Sequence, residues 1–130
     1  MTVSLPAATL AGMVPSNSPD PPRLRHVAIS MNGNRTWARQ HRLLAYRGHE
    51  YGREKLKEVI RWSIEYGLEC LTVFAFSTEN WERPKVQVSA LMRLLGLVLD
   101  DDVPALHREG VRIRVVGSRV GLKPALVAKF

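Results

Sequence analysis

The stretch Leu68–Ser77, LECLTVFAFS, is a nearly continuous apolar run, rich in residue types that favour strands. A strand that is covered on both of its faces has this pattern, and such strands belong to parallel sheets with helices on each side. The residues immediately before it, 49–67, carry apolar side chains at helical spacing, and Gly67 stands where a C-terminal helix cap belongs. A long amphipathic helix that leads into a buried strand predicts an α/β fold.

The chain before this helix contributes another strand and a short helix. His26–Ser30, HVAIS, is a β-type run that ends at an Asn-Gly turn, and we expect a helix to open around Thr36. Residues 1–22 are rich in Pro, Ser and Ala, which is typical of a disordered segment. We therefore predict a disordered N-terminal tail over 1–22 and one folded unit over 23–130.

The chain after the central strand repeats the pattern. Residues 88–110 have the composition of a long apolar helix, which we expect Pro104 to break or kink and Gly110 to end. VRIRVVG, Val111–Gly117, is typical of a third strand, and residues 122–130 begin another helix. The order β-α-β-α-β predicts an α/β fold: a parallel sheet with helices on both faces, joined by right-handed crossovers. Because the third strand would be left as an edge, we expect the fold to be truncated after it.

The bulk composition limits the function classes. The chain has 130 residues and a formal net charge of +7, which suits an anionic partner: nucleic acid, a membrane surface or a small polyanion. Cys70 is its only cysteine, so no internal disulfide can form and a reducing compartment fits. No apolar run reaches the roughly 18 residues of a membrane span. The tail meets neither a secretory nor a transit-peptide pattern clearly, and a plastid signal stays open.

The first of two polar loops, residues 31–37, follows the strand HVAIS at the edge where parallel sheets bind ligands. Gly33 lets the backbone approach a ligand closely. The amides that open the next helix favour an anion, and Arg35 and Arg39 can grip phosphate oxygens. This pattern fits a phosphate site, with a solvated turn as the alternative.

The second polar loop, residues 77–83, follows the central strand and carries side chains for the same chemistry. Ser77 and Asn80 can hydrogen-bond an oxyanion or orient a proton transfer, and Arg83 can bind phosphate. Since both loops follow strands of one parallel sheet, we expect them to lie side by side.

Three further residues have a functional and a structural interpretation. Trp81 is either an apolar wall of a site or part of the core, and Glu79 is either an acid/base or a helix cap. His49 is either a donor to phosphate or a structural histidine at the start of a helix. The residue types alone leave these alternatives open.

Other chemistries find little support in the sequence. It contains no Cys/His metal spacing, no P-loop and no G-x-S-x-G motif. Asp100, Asp101 and Asp102 are consecutive, so on a helix they point in different directions and predict a solvated surface more than a metal site. No nucleic-acid-binding motif accompanies the positive charge, so we predict no nucleic-acid partner.

Several motifs together resemble one family. HVAISMNGNRTWA, GHEYG, LTVFAFSTENWERP, VSALM and LHREGVRIRVVG are similar, in order and spacing, to the cis-prenyltransferases, the undecaprenyl and dehydrodolichyl diphosphate synthases. The similarity runs from His26 to about Ser118. It implies an α/β sandwich with a hydrophobic tunnel, lined by the helix Val88–Leu99. It also implies that an allylic diphosphate and isopentenyl diphosphate are condensed, with Mg²⁺, to a Z-polyprenyl diphosphate of the dolichol or polyprenol pathway.

The resemblance also implies roles for individual residues in both loops. Asn32 and Asn80 would be catalytic, Asn32 as the Mg²⁺ ligand and Asn80 as an aid to proton removal from isopentenyl diphosphate. The residues implied to contact the substrates are Gly33, Asn34, Arg35, Trp37, His49, Ser77, Thr78, Glu79, Trp81 and Arg83.

The sequence departs from the family at Asn32, where the family has an Asp whose carboxylate holds Mg²⁺ against the diphosphate. An amide oxygen is an acceptable ligand for this hard cation but carries no charge. We therefore expect weaker metal binding and slower ionisation of the allylic substrate.

The resemblance covers only the N-terminal half of the family, so residues 23–130 are predicted to be the N-terminal part of a cis-prenyltransferase domain. The other half carries an Arg-x-x-Gly-Glu segment that binds isopentenyl diphosphate, and it completes the dimer interface. We therefore expect impaired activity for this chain alone, with a catalytically silent fragment or partner subunit as the alternative. A full-length version is expected to be a homo- or heterodimer, cytoplasmic or endoplasmic-reticulum-associated, with peripheral membrane association through its product.

Overall fold

The computed structural model describes residues 2–4 and 23–130. Strands and helices alternate through most of this part of the chain, as the hydrophobic pattern predicts. The strands are β1 (Thr2–Ser4), β2 (His26–Ser30), β3 (Cys70–Phe74) and β4 (Arg112–Arg114). The helices are α1 (Asn34–Gln40), α2 (Ala45–Tyr66), α3 (Lys85–Leu97), α4 (Val103–Arg108) and α5 (Pro124–Val127), with a 3₁₀ turn at Thr78–Glu82 and a π-helical turn at Val98–Asp102.

The sheet has the strand order β2-β3-β1-β4. β2 and β3 pair in parallel from His26 opposite Cys70 to Ser30 opposite Phe74, which confirms the predicted parallel core of the fold. β1 pairs antiparallel with both β3 and β4. A parallel pair connected through α2 is the unit that brings both polar loops to one edge.

The position of β1 differs from the sequence prediction, which placed residues 1–22 in a disordered tail. Thr2–Ser4 form a strand between β3 and β4, because the open edge of β3 offers unpaired backbone groups and a Thr-Val-Ser segment suits a strand. Residues 5–22 of the predicted tail lie outside the described residues. The third predicted strand, 111–117, is shorter than expected: pairing ends at Arg114, opposite Thr2, where β1 offers no further described partner.

The hydrophobic core lies between α2 and the sheet. Its buried cluster consists of Ile60, Leu68, Leu71, Val73 and Val111, of which Leu71 and Val73 are fully inaccessible. The predicted C-terminal cap of α2 is confirmed, since Gly67 has a left-handed backbone with φ of 78°. The Gly67 N–H donates to the Ile64 carbonyl, and the Leu68 N–H donates to the Ser63 carbonyl. The cap turns the chain directly into β3.

Pro104 was predicted to break or kink the long helix, and the structure shows an interruption of the regular α-helix without a break in the helical path. The π-helical turn Val98–Asp102 widens the helix just before Pro104, with the Val103 N–H donating to the Val98 carbonyl. A wider turn makes room for a ring that would clash with the preceding turn of an α-helix, and Pro104 then stands in the first turn of α4. Within the described ranges, no helix is both long enough and apolar enough to cross a membrane.

Candidate functional site

The two polar loops lie side by side, as the parallel topology predicts. β2 and β3 end at the same level, and the Met31 N–H donates to the Phe74 carbonyl over 3.1 Å. The residues after Ser30 and after Phe74 therefore leave the sheet together at its carboxyl edge.

The first loop is fixed by a tight turn at Gly33 and by its close approach to α2. Gly33 has a left-handed backbone with φ of 87°, and its N–H donates to the Asn32 Oδ1 over 2.8 Å. α1 then begins at Asn34, and its N-terminus lies directly against α2. A Cβ on Gly48 would fall 2.1 Å from the Asn34 carbonyl oxygen, and one on Gly52 would fall 2.8 Å from its Oδ1. Two glycines one helical turn apart on α2 thus allow the loop to approach that helix.

The second loop is organised around Ser77 and Asn80. The Asn80 Nδ2 donates to the Ser77 Oγ over 2.9 Å, and the Ser77 N–H donates to the Asn80 Oδ1 over 3.4 Å. This reciprocal pair caps the 3₁₀ turn. Trp81 packs edge-on against Phe76 with their ring centroids 5.1 Å apart. The Asn80 amide is fixed by the pair and keeps one N–H and part of its acceptor capacity for another partner.

A cluster of positive charge links the two loops to α2. His49, half-buried on α2, feels the charges of Arg83 from the second loop and Arg35 from the first. Burial lowers the pKa of His49 below its ordinary 6.5, and the two guanidinium groups lower it further. The imidazole is therefore neutral at pH 7 and can donate one hydrogen bond without adding charge.

A cavity of about 820 Å³ extends from this cluster. Its polar lining comes from both loops, and the described lining residues include no Asp or Glu. Its apolar lining comes from α2, α3, the π-helical turn and the segment after β4, through Leu56, Leu91, Leu94, Leu95, Val98, Leu99, Val120, Leu122 and Phe130. This combination suits a ligand with an anionic head and an apolar chain.

Most of the predicted site residues line this one cavity. They are Asn32, Gly33, Asn34, Arg35, His49, Ser77, Thr78, Asn80, Trp81 and Arg83. Their roles toward a ligand stay predictions, since the geometry supplies only their convergence.

Two predicted residues, Trp37 and Glu79, do not line the cavity. Trp37 stacks on His41 with ring centroids 4.2 Å apart and tilts against Tyr51 at 4.9 Å, so it fastens α1 to its surroundings. Glu79 is exposed, and hydrogen bonding to the Ser77 side chain holds its pKa below the ordinary value. An ionised, exposed carboxylate of this kind favours the helix-cap interpretation over the acid/base one.

Sequence reasoning missed two features of the site. Gly48 and Gly52 set the distance between α1 and α2, and their spacing of four residues on an amphipathic helix was the available signal. Arg53, one turn beyond His49 on α2, also lines the cavity. Its position four residues after a candidate site histidine would have identified it.

The three consecutive acids are ion-paired, and one of them is buried. Asp102 is 9% exposed and pairs with Arg53 and Lys57, so the prediction of a fully solvated acidic surface is wrong for this residue. The π-helical turn explains the difference, because it directs Asp102 toward α2. Asp101 contacts Arg53 at 3.3 Å, and Asp100 contacts Lys129 at 2.6 Å.

The cavity residues do not form a magnesium site by themselves. Among the described residues, no group of three His, Cys, Asp or Glu side chains could hold a metal ion. Asn32 offers a neutral oxygen that already accepts a hydrogen bond from Gly33, whereas Mg²⁺ favours carboxylates together with phosphate oxygens. A magnesium ion at this site would have to be held mainly by a bound diphosphate.

His49 is expected to make stability depend on pH. Because its pKa in the folded chain lies below the ordinary 6.5, the unfolded chain takes up the proton first on acidification. The free energy of unfolding should therefore fall as the pH drops below 6.5 and be regained above it. We expect His49→Gln to flatten this part of the profile, measured by urea denaturation at a series of pH values. Equal slopes for the two proteins would contradict the assignment.

Comparison with known proteins identifies the family. The family described as "Putative undecaprenyl diphosphate synthase" matches residues 30–130. The chain therefore belongs to this family of prenyltransferases. The match includes both loops and every cavity-lining residue described above.

Individual relatives agree with this assignment. An isoprenyl transferase from Thermotoga maritima is 43% identical over 106 residues, which are 82% of this chain and 46% of that protein. A ditrans,polycis-undecaprenyl-diphosphate synthase ((2E,6E)-farnesyl-diphosphate specific) from Pseudomonas aeruginosa is 45% identical over 104 residues, 80% of this chain and 41% of that protein.

A solved structure has the same fold. The crystal structure of lavandulyl diphosphate synthase from Lavandula x intermedia, in complex with dimethylallyl diphosphate, matches with a TM-score of 0.74 and 29% identity. The match covers 82% of this chain and 46% of that one. The chain thus spans less than half the length of these relatives, as the sequence resemblance predicts.

Proposed function

We propose that this chain forms the allylic-diphosphate half of a cis-prenyltransferase. The complete enzyme would condense isopentenyl diphosphate with an allylic diphosphate to a Z-polyprenyl diphosphate of the dolichol or polyprenol pathway. The observation that carries the proposal is the single cavity in which Arg35, His49 and Arg83 adjoin an apolar lining. A prenyl diphosphate has the same two parts, a polyanionic head and a hydrocarbon chain.

The residues suit the binding half of this reaction. Arg35 and Arg83 would hold diphosphate oxygens, because a guanidinium presents paired N–H donors that match phosphate geometry. His49 would donate its single N–H. The same charges would favour departure of the diphosphate as the allylic C–O bond breaks, since they stabilise the negative charge that develops on it.

The remaining steps concern the second substrate. A new C–C bond forms to the terminal alkene carbon of isopentenyl diphosphate, which then loses a proton, so the products are the longer diphosphate, inorganic diphosphate and a proton. Asn80 would orient the group that loses the proton, because its amide is fixed by Ser77. We also propose that the isopentenyl diphosphate site requires sequence beyond the half that this chain spans.

A catalytically silent subunit that binds prenyl diphosphate is the second candidate. The observation in its favour is the neutral Asn32 together with a described cavity lining that has no carboxylate. Such a site can hold an anion through its cations, but it offers little help to a magnesium ion.

Binding and turnover experiments separate these candidates. Isothermal titration with dimethylallyl diphosphate should show saturable binding to one site, with inorganic pyrophosphate as competitor. Elongated product from both diphosphates and Mg²⁺ would support the enzyme, and binding without product would support the silent subunit. If dimethylallyl diphosphate does not bind, while duplex DNA binds with a steep salt dependence, both proposals are wrong and the charge serves nucleic acid.

A carboxylate at position 32 should make diphosphate binding depend more strongly on Mg²⁺. Asn32→Asp is expected to tighten binding of inorganic pyrophosphate in Mg²⁺ by roughly tenfold, about 1.4 kcal/mol, because the new charge completes an oxygen site for the cation. In EDTA the same variant should bind more weakly, since two anions then repel. Thr36→Asp, which adds a carboxylate elsewhere in the cavity lining, is the matched control. An equal gain in both variants, or a gain without Mg²⁺, would contradict a specific metal role.

A further inference from the structure

We propose that Arg53 is a positioning residue that sets which prenyl chain lengths the cavity accepts. It would act through Asp102, by holding the π-helical turn against α2. The inference rests on the proposed function, because it concerns the apolar part of the same cavity.

Arg53 lies between the polar and the apolar lining of α2. His49, Arg53 and Leu56 all line the cavity and follow one another along this helix, spanning about 10 Å at the helical rise of 1.5 Å per residue. His49 belongs to the cationic cluster, and Leu56 belongs to the apolar wall. The charged Arg53 side chain needs an anionic partner at this junction, because the apolar wall beyond it offers no negative charge.

That partner is Asp102, in the π-helical turn whose Val98 and Leu99 line the cavity. The Arg53 Nε donates to the Asp102 Oδ2 over 2.6 Å, and its Nη2 donates to the Asp102 Oδ1 over 2.7 Å. The two side chains are 17% and 10% exposed. Lys57 lies 3.2 Å from the same carboxylate and gives it a second positive neighbour. The guanidinium fork is therefore committed to Asp102 and not directed to a ligand.

The ion pair and the apolar wall share one turn of helix. Val98 and Leu99, in the same π-helical turn as Asp102, line the cavity. A force that holds Asp102 to α2 therefore also fixes how far Val98 and Leu99 stand from Leu56. Buried fork-to-carboxylate pairs are directional, so this contact defines a separation between the walls more sharply than apolar packing alone would.

The charge state of Asp102 supports a positioning role for Arg53 over a role in binding the diphosphate. Burial on its own would raise the pKa of the Asp102 carboxyl, but hydrogen bonds from Arg53 and Lys57 outweigh it and keep that pKa below its ordinary value. The carboxylate is thus ionised at neutral pH and holds the guanidinium permanently. Arg35, Arg39 and Arg83 line the cavity and have no carboxylate partner among the described ion pairs, so they are the arginines left for an anionic ligand.

The test compares a short and a long ligand. Dissociation constants of dimethylallyl diphosphate and farnesyl diphosphate are measured by titration for the wild type, Arg53→Met and Asp102→Asn. The short ligand reports on the cationic cluster, and the long one also contacts the wall formed by α3 and the π-helical turn. We expect both variants to weaken farnesyl diphosphate binding by roughly tenfold, about 1.4 kcal/mol, and to change binding of the short ligand by less than about twofold.

Arg25 provides the matched control. It makes the same two-pronged contact with Glu69, at 2.6 Å for both hydrogen bonds, but the pair is exposed and lies outside the cavity. Arg25→Met should leave the ratio of the two affinities unchanged. If Arg53→Met does not fold, Arg53→Lys retains the charge but not the fork and should give an intermediate ratio.

Each outcome either supports the inference or overturns it. Equal weakening of both ligands by the Arg53 or Asp102 variants would overturn the inference, because it would indicate a contact with the diphosphate or a general loss of structure. Unchanged affinities would overturn it as well. A wild-type chain that binds neither ligand would instead overturn the proposed function, and the inference with it.

Discussion

Gly48→Ala is expected to lower the free energy of unfolding by roughly 2 kcal/mol. The new methyl group would stand 2.1 Å from the backbone oxygen of Asn34 and 3.0 Å from the Ala38 Cβ, so α1 would have to move away from α2. Overpacking of this kind costs about 1–3 kcal/mol or more, and the better helix propensity of alanine offsets about 1 kcal/mol of it. Because the strain falls on a backbone atom and not on a flexible side chain, we place the overpacking cost at the upper end. Urea denaturation of both proteins measures the difference.

Two other glycines make the test specific. Gly96 lies within α3 and would have no atom near a Cβ, so Gly96→Ala should leave stability unchanged or raise it by up to about 1 kcal/mol. Gly52→Ala should fall between the two, because its methyl group meets only the movable side chain of Asn34, at 2.8 Å. The affinity for dimethylallyl diphosphate is expected to fall most for Gly48→Ala, less for Gly52→Ala and least for Gly96→Ala, since Asn34 belongs to the first loop. If Gly48→Ala and Gly96→Ala behave alike, the close approach of α1 to α2 does not exist.

The parallel core of the fold was predictable because its signals are local. Alternating apolar patterns and turn residues identified β2, α2 and β3 directly, and Gly67 stood where the left-handed cap of α2 was expected. A right-handed crossover then leaves a single way to place β2 beside β3. The neighbourhood of the two polar loops followed from this topology alone.

The features that the sequence did not predict depend on distant partners. Nothing in Thr2–Ser4 indicates that the edge of β3 is free to pair, so the tail assignment was reasonable by composition and wrong for these residues. Asp102 was assigned to solvent because its partner, Arg53, lies on another helix, 49 positions away in the sequence. The π-helical turn that carries Asp102 lies just before Pro104 and has no periodic signature in the sequence.

In the candidate site, too, the features with local sequence signals were predictable, and those that depend on contacts between distant residues were not. Residue types that bind phosphate, placed just after strands, were sufficient to identify Arg35 and Arg83 as candidates. His49 stayed open between two interpretations until the resemblance included it, and the structure places it beside both arginines. The assignment of Trp37 came from the resemblance, and the structure gives that ring a different neighbourhood, against His41 and Tyr51. Gly48 escaped notice because the lack of a side chain becomes informative only when another segment approaches it.

Arg83→Ala is expected to weaken binding of dimethylallyl diphosphate by roughly 10- to 100-fold, about 1.5–3 kcal/mol, the usual worth of a hydrogen bond to a charged group. Arg83 is the cation of the second loop that reaches the cluster around His49. Its loss leaves Arg35 and Arg39, both from the side of the first loop, to hold the diphosphate. Titration calorimetry with this ligand measures the change directly.

Two variants separate a phosphate contact from a general effect of charge. Arg83→Lys keeps the charge without the fork, so it should recover part of the affinity and none of the bidentate geometry. Arg61→Ala removes the same charge from an exposed position on α2 outside the cavity and should leave the affinity unchanged. Removing Arg83 should also raise the pKa of His49, because one of the positive charges that depress it is gone. An Arg83→Ala variant that raises this pKa but binds as tightly as the wild type would locate Arg83 beside His49 and assign the diphosphate to other groups.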